Sequence, residues 1–242
     1  MNYMNQLAIQ KLKPQIYSYN PTAWMFSTYI KCVMAQAGAK ESLSMYARKI
    51  FELADGEKIA LDFYPKNLFD SEEQAKKPIT IYFSGLTGSS MHRQGQIFAK
   101  MNYEKTGENT LVFNRRGFSG MKFTRDKIFT WDFHDDLEEV IDYLLDVVGF
   151  SHVNLVGICM GANYALKYVG KKGEKGEDSR VNAVCSISSA YDMTAAYEKI
   201  SKNPLIEFSL SRDLKNSLLG HEEDPHFLNV LKKSGVDLGK AL

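Results

Sequence analysis

Cys159 stands between two glycines in VGICMGANYALKYVG, residues 156–170, where an apolar run gives way to helix-forming residues. A strand that turns sharply into a helix presents the side chain at the turn, and small neighbours let the backbone make it. Gly157 and Gly161 supply those neighbours, with sulfur where a serine hydroxyl is more usual. The dipole of a helix starting at the next residue favours an anion at this point, and so the thiolate. A thiolate attacks acyl carbonyls, and the oxygen that turns negative then needs hydrogen-bond donors. The backbone N–H of Met160 is one expected donor; that of Leu86, in the glycine-rich loop GLTGSS at residues 85–90, is the other. The plainer role for a small cysteine here is to fill space under the turn.

Such residues need a sheet to place them. Residues 46–64, YARKIFELADGEKIALDFY, read as a hairpin folded about Asp55-Gly56. KKPITIYFSGLTGSS is a short apolar strand ending in the glycine-rich loop, and TLVFNRRGFSG repeats the pattern with a strand over 110–114. A long helix follows, with Phe133, Leu137, Val140, Ile141, Leu144, Leu145 and Val148 on one face. HVNLVGICMG is a strand and elbow, 162–169 is helical, GKKGEKGEDSR is a solvated loop, and VNAVCSIS is a further apolar strand. Apolar strands alternating with helices predict an α/β fold, a mostly parallel sheet with helices on both faces. Three regions are expected: a helical segment over 1–45 packed on the core, the core over 46–190, and short polar helices of a cap or tail over 191–242.

Composition narrows the function classes. Thirty basic and 29 acidic residues leave a net charge of +1, so nothing draws the chain to nucleic acid. Cys32, Cys159 and Cys185 are odd in number and far apart, which fits neither a disulfide framework nor a zinc site and favours a reducing, intracellular compartment. The loop at 85–90 lacks the Gly-Lys-Ser/Thr ending of a phosphate loop, so no nucleotide cofactor is expected. Asp132, Asp135 and Asp136 complement a helix dipole rather than bind metal, since adjacent helical residues face apart. Arg115 and Arg116 are expected to brace a loop rather than hold an anion. No acidic residue precedes Glu41, as in mitochondrial targeting segments, although arginine is missing there as well. Residues 22–38, TAWMFSTYIKCVMAQAG, are short for a span and carry Lys31 mid-stretch. They read as a helix packed on the domain, with contact to a lipid or membrane surface as the alternative.

Taken in order, YNPTAW (19–24), IFELADGEKIALDF, GLTGSS (85–90), VFNRRG (112–117) and GICMGANYALKY (157–168) resemble the α/β-hydrolase superfamily. Within it they are similar to the lipid-esterase group that holds bacterial YheT-type proteins and their eukaryotic ABHD and ethanol acyltransferase relatives. The resemblance implies an acyl-transfer site with Cys159 at the nucleophile position. It also implies an acid and a base on loops beyond the cap, and two strands beyond VNAVCSIS.

The residues that should complete the site are not evident. The histidines after Cys159 are His221 and His226, in GHEEDPHFL, and no strand precedes either. Asp192 lies where the chain enters the cap; His92 and His134 precede the elbow. The strand around 181–188 would be an open edge, apolar on both faces, that another protein chain is expected to cover. The favoured reading is therefore a degenerate hydrolase serving as a structural or interaction subunit. The alternative is an esterase, thioesterase or acyltransferase acting on lipid-like acyl groups through Cys159 and completed by a second chain; the third is a shortened form of an ordinary hydrolase.

Overall fold

The computed structural model describes Gln10, residues 43–129 and residues 135–235. The expectations for the segment 1–42, with Lys31 and Cys32, and for Asp132, Phe133 and His134 lie outside the described residues. Two compact units divide the chain, Met1–Ala39 and Lys40–Leu242, and the following concerns the second.

Strands β1 (Ala47–Glu52) and β2 (Lys58–Tyr64) form the expected antiparallel hairpin, with Ala47 opposite Phe63 and Glu52 opposite Lys58. Gly56 turns it at φ +80°, and a Cβ there would lie 2.2 Å from the Arg125 guanidinium. Four parallel strands follow: β3 (Ile79–Phe83), β4 (Asn109–Phe113), β5 (Val153–Ile158) and β6 (Val181–Ile187). The sheet order is β1-β2-β4-β3-β5-β6, with β2 antiparallel to β4. Central β3 and β4 are buried at every residue, as strands covered on both faces must be.

Helices α1 (Glu72–Ala75), α2 (Arg93–Thr106), α3 (Asp135–Asp142) and α4 (Met160–Glu174) connect these strands. Alternation along the strands divides the core in two. Ile79, Ile81 and Phe83 pack with Leu137, Val140 and Ile141 of α3 and with Tyr164 and Tyr168 of α4. Tyr82 and Val112 point the other way, toward Ala99 of α2. The stripe Leu137, Val140, Ile141 and Leu144 is fully buried as its spacing predicts. Past Asp142 the backbone loosens into a π-helix, Tyr143–Val148, closed by Gly149 at φ +89°. The Leu144 carbonyl accepts both the Gly149 and Phe150 N–H groups at 3.1 Å, which ends the helix there.

Two expectations need correction. Helix α4 continues through Gly170 and Gly173 to Glu174, where a loop was expected. Ion pairs from Lys172 to Glu138 (2.6 Å) and Glu177 (2.9 Å) anchor this last stretch and offset the poor helix propensity of glycine. Strand β6 is an edge, paired only with β5 among the described residues, but it is not buried on either face: Asn182, Ala183, Cys185 and Ile187 are exposed.

Beyond β6 lie α5 (Met193–Ser201), α6 (Pro204–Leu219) and α7 (Pro225–Lys233). Asp192 caps α5 by accepting the Ala195 N–H at 2.9 Å. Buried Asp224 caps α7 and also accepts the Phe123 N–H at 2.9 Å, docking α7 on the loop after β4. Phe227 stacks on Phe123 there. By contrast α5 and α6 leave Tyr197, Leu205 and Phe208 about two-thirds exposed or more. No helix among the described residues is long and apolar enough to cross a membrane.

Candidate active site

β5 ends in the elbow that carries Cys159. This residue has φ +56° and ψ −119°, a region that side-chain-bearing residues avoid. Such a conformation costs about 1–3 kcal/mol and persists only where the surroundings impose it. Here they do. The Cys159 N–H donates to the Ile187 carbonyl at 2.9 Å, and its own carbonyl accepts the Ala162 N–H at 3.1 Å, starting α4. A Cβ on Gly157 would sit 2.4 Å from the Gly161 carbonyl oxygen, and one on Gly161 would sit 2.5 Å from the Phe83 and Ser84 carbonyl oxygens. The turn can form only with glycine at both places. The thiol it presents is exposed, as is that of Cys185; both are free.

The loop after β3 comes up against this elbow. A Cβ on Gly85 would be 3.6 Å from Cys159 Cβ, so the start of the loop lies beside the nucleophile position. A tight turn closes it, Gly88 N–H to the Gly85 carbonyl at 3.2 Å. Neither the Leu86 nor the Met160 N–H donates to another backbone carbonyl among the described residues. Met160 follows Cys159 directly, and Leu86 follows the Gly85 that packs against it.

Beneath the loop lies Arg115, the residue after β4 and Asn114. One guanidinium nitrogen, Nη2, donates to the carbonyls of Gly85 (3.1 Å), Leu86 (2.6 Å) and Gly88 (3.3 Å). The group lies over the rings of Phe118 and Phe129, at 4.2 and 5.3 Å from their centroids. Burial pulls its pKa down to about 10. Arg116, next in sequence, faces elsewhere and is fully buried against Asp136, with Nε and Nη2 on the two carboxylate oxygens at 2.7 and 2.6 Å. Asp136 lies in the first turn of α3, as its position suggested, and in addition anchors Arg116, whose Nη1 also reaches Asp55 at 2.7 Å. A second buried network, Asp62 with Arg48, Asn114, Ser90 and Ser119, ties both loops to β2. Asn114 contributes twice, accepting the Ser90 N–H at 2.9 Å.

No described imidazole touches Cys159. The ring of His92 accepts the Ser89 N–H at 3.1 Å, and His221 packs on Phe123 and Phe227. His226 pairs with Asp126 at 2.8 Å. His152 precedes β5, the far end from the elbow, roughly 20 Å away along six residues of strand. Asp192 caps α5 and is not beside a histidine. Two contacts near the elbow had no sequence signal: Asn163 meets Ser189, and its amide lies 3.3 Å from the sulfur of Met193. No group of metal-ligating side chains occurs among the described residues.

A family model described as alpha/beta hydrolase fold matches residues 79–214, over half of the chain. An abhydrolase domain-containing protein of Dictyostelium discoideum is 30% identical over 168 residues, covering 68% of this chain and 40% of its own. The bovine phospholipase ABHD3 is 25% identical over 209 residues, 84% of this chain and 50% of its own. A monoacylglycerol lipase of Saccharomyces cerevisiae is 22% identical over 165 residues, 65% of this chain and 36% of its own. This chain thus spans half or less of the length of these relatives. Among solved structures, a Pyrococcus furiosus esterase aligns over 74% of this chain and 66% of its own, at 19% identity and a TM-score of 0.49. With the motifs in order at the ends of the strands that carry them, the chain belongs to the alpha/beta hydrolase fold family.

Proposed function

We propose that this chain carries the nucleophile and oxyanion side of an acyl-transfer site for lipid-type esters or thioesters, with Cys159 as the attacking residue. One observation carries the reading: Cys159 is kept exposed in a strained conformation at the start of α4. A side chain needed only for packing gains nothing from that strain, whereas a nucleophile gains its presentation. This favours the catalytic alternative over a subunit without chemistry.

The thiolate sulfur adds to the acyl carbon, and the carbonyl oxygen takes the electron pair and lies against the Met160 and Leu86 N–H groups. Collapse expels the alcohol or thiol, which leaves with the proton that a base removed from the sulfur. The acyl-cysteine then passes its acyl group to water, giving the acid, or to an alcohol, giving a new ester. The base and its carboxylate partner come from polypeptide outside the described constellation. A strand added beside β6 would bring them to the elbow and cover the open edge together, whether from this protein or from a separate chain.

Support for a lipid-type acyl group comes from the phospholipase and lipase names of the relatives. It also comes from the apolar residues that begin beside the elbow at Met193 and continue along α5 and α6 at Tyr197, Leu205 and Phe208. Narrower placement in the YheT-like lipid-esterase group belongs to the same proposal and rests on the ordered motifs. The test is labelling near neutral pH followed by peptide mass spectrometry. Iodoacetamide should modify Cys159 at least tenfold faster than exposed Cys185, and p-nitrophenyl butyrate should leave a butyryl group on Cys159 that Cys159→Ala abolishes. Equal labelling of the two cysteines, with no acylation, would overturn the reading.

A further inference from the structure

We propose that Arg115 is the positioning residue of the oxyanion hole, locking the Gly85–Leu86 peptide so that the Leu86 N–H faces the acyl oxygen. This deepens the assignment of Cys159 and rests on it. The argument begins with the peptide bond, which is planar and trans, so the Gly85 C=O and the Leu86 N–H point in opposite directions from one rigid plane. Whatever holds the carbonyl aims the N–H. Arg115 Nη2 holds the Gly85 carbonyl at 3.1 Å, and holds its neighbours Leu86 and Gly88 at 2.6 and 3.3 Å. Three carbonyls gathered on one cation leave the loop no freedom to flip a peptide. Within the loop the Gly85 carbonyl accepts only the Gly88 N–H, at 3.2 Å, and glycine at 85 and 88 leaves that single turn bond little backbone preference to support it, so Arg115 supplies the remaining hold.

Other roles for Arg115 fit less well. Among the described residues it forms no ion pair with a carboxylate, unlike Arg116 beside it, and the groups it donates to are the loop carbonyls. The cavity it lines with Ser84 and Tyr164 measures only about 10 Å³. That is room for one water at most, so a carboxylate or phosphate ligand does not fit. What remains is the loop. Its guanidinium also lies over the Phe118 and Phe129 rings, contacts that suit a flat, weakly hydrated cation better than a lysine ammonium.

The experiment compares two reactions of the same sulfur. Acylation of Cys159 by p-nitrophenyl butyrate passes through an oxyanion; alkylation by iodoacetamide does not. In Arg115→Met, acylation should slow by about 10- to 100-fold, less than the roughly 100- to 1,000-fold of deleting an oxyanion donor outright because the donor is misaimed rather than removed, while alkylation stays within about twofold. Arg115→Lys, keeping charge without the flat fork, should fall between. Leu86→Pro removes the donor itself at the second position of a turn, where proline is well tolerated, and should show the same split. The double variant should then be no slower than the slower single one, since both changes remove one interaction. If Arg115→Met fails to fold, Arg115→Lys carries the test by the same split between acylation and alkylation. Equal acylation of wild type, Arg115→Lys and Arg115→Met would overturn the role of Arg115 alone, as would equal slowing of acylation and alkylation. A wild-type protein that is never acylated would overturn the reading of Cys159 and this proposal with it.

Discussion

The N–H of Cys159 donates to the carbonyl of Ile187, the last residue of β6, at 2.9 Å. The edge strand therefore does more than close the sheet: it helps clamp the elbow in a conformation its residue would not choose. Cys159 sits at φ +56°, where glycine alone is at ease.

The strain predicts a trade between stability and chemistry. Cys159→Ala and Cys159→Gly both remove the sulfur, but only the second relieves the backbone. The glycine variant should be more stable than the alanine variant by about 1 kcal/mol in urea unfolding, despite glycine's greater freedom in the unfolded chain. An alanine variant as stable as the glycine one would show that the elbow is not strained.

Gly161 predicts the opposite sign. An added methyl would meet the Phe83 and Ser84 carbonyl oxygens at 2.5 Å, atoms of a buried strand end that cannot move aside. Gly161→Ala should lose about 1–3 kcal/mol and lower the urea midpoint. Gly170→Ala, in the same helix with nothing within 4 Å of the added carbon, should instead gain roughly 0.5–1 kcal/mol from helix propensity. Similar midpoints for the two variants would refute the close packing of α4 on β3.

Asp126 gives a pH dependence. Hydrogen bonds from the His226 ring and from Lys233 hold its carboxyl down at about 2, below the ordinary 3.8. A depressed folded value means that the stabilisation is complete above the unfolded value of 3.8 and fades as the pH falls toward about 2. Wild-type stability should drop more steeply across that interval than that of Asp126→Asn, as followed by denaturant titrations at each pH. Parallel profiles would mean that α7 is not tied to the loop after β4 through this group.

Much of the fold was legible because its signals are local. Asp55-Gly56 marks a hairpin by turn chemistry, the Leu137-to-Leu144 stripe marks a helix face by period, and Gly157 and Gly161 mark an elbow by size. Where those signals misled, distant partners had intervened. The glycines at 170 and 173 suggested a loop, but Lys172 bound to Glu138 extends α4 past them. Asp136 is the helix-start acid its position indicates, but the Arg116 that reaches it from the β4 loop left no local signal.

For the site, the sequence alone singled out Cys159 as the candidate nucleophile and the Met160 and Leu86 N–H groups as candidate donors, because each follows from residue type and immediate neighbours. Only the tertiary structure decided what holds those groups in place. Arg115 is 30 positions from Gly85 and 27 from Gly88 along the chain, and no spacing rule joins them. They meet because β3 and β4 are parallel neighbours whose ends rise side by side, so the loops that follow them share one end of the sheet.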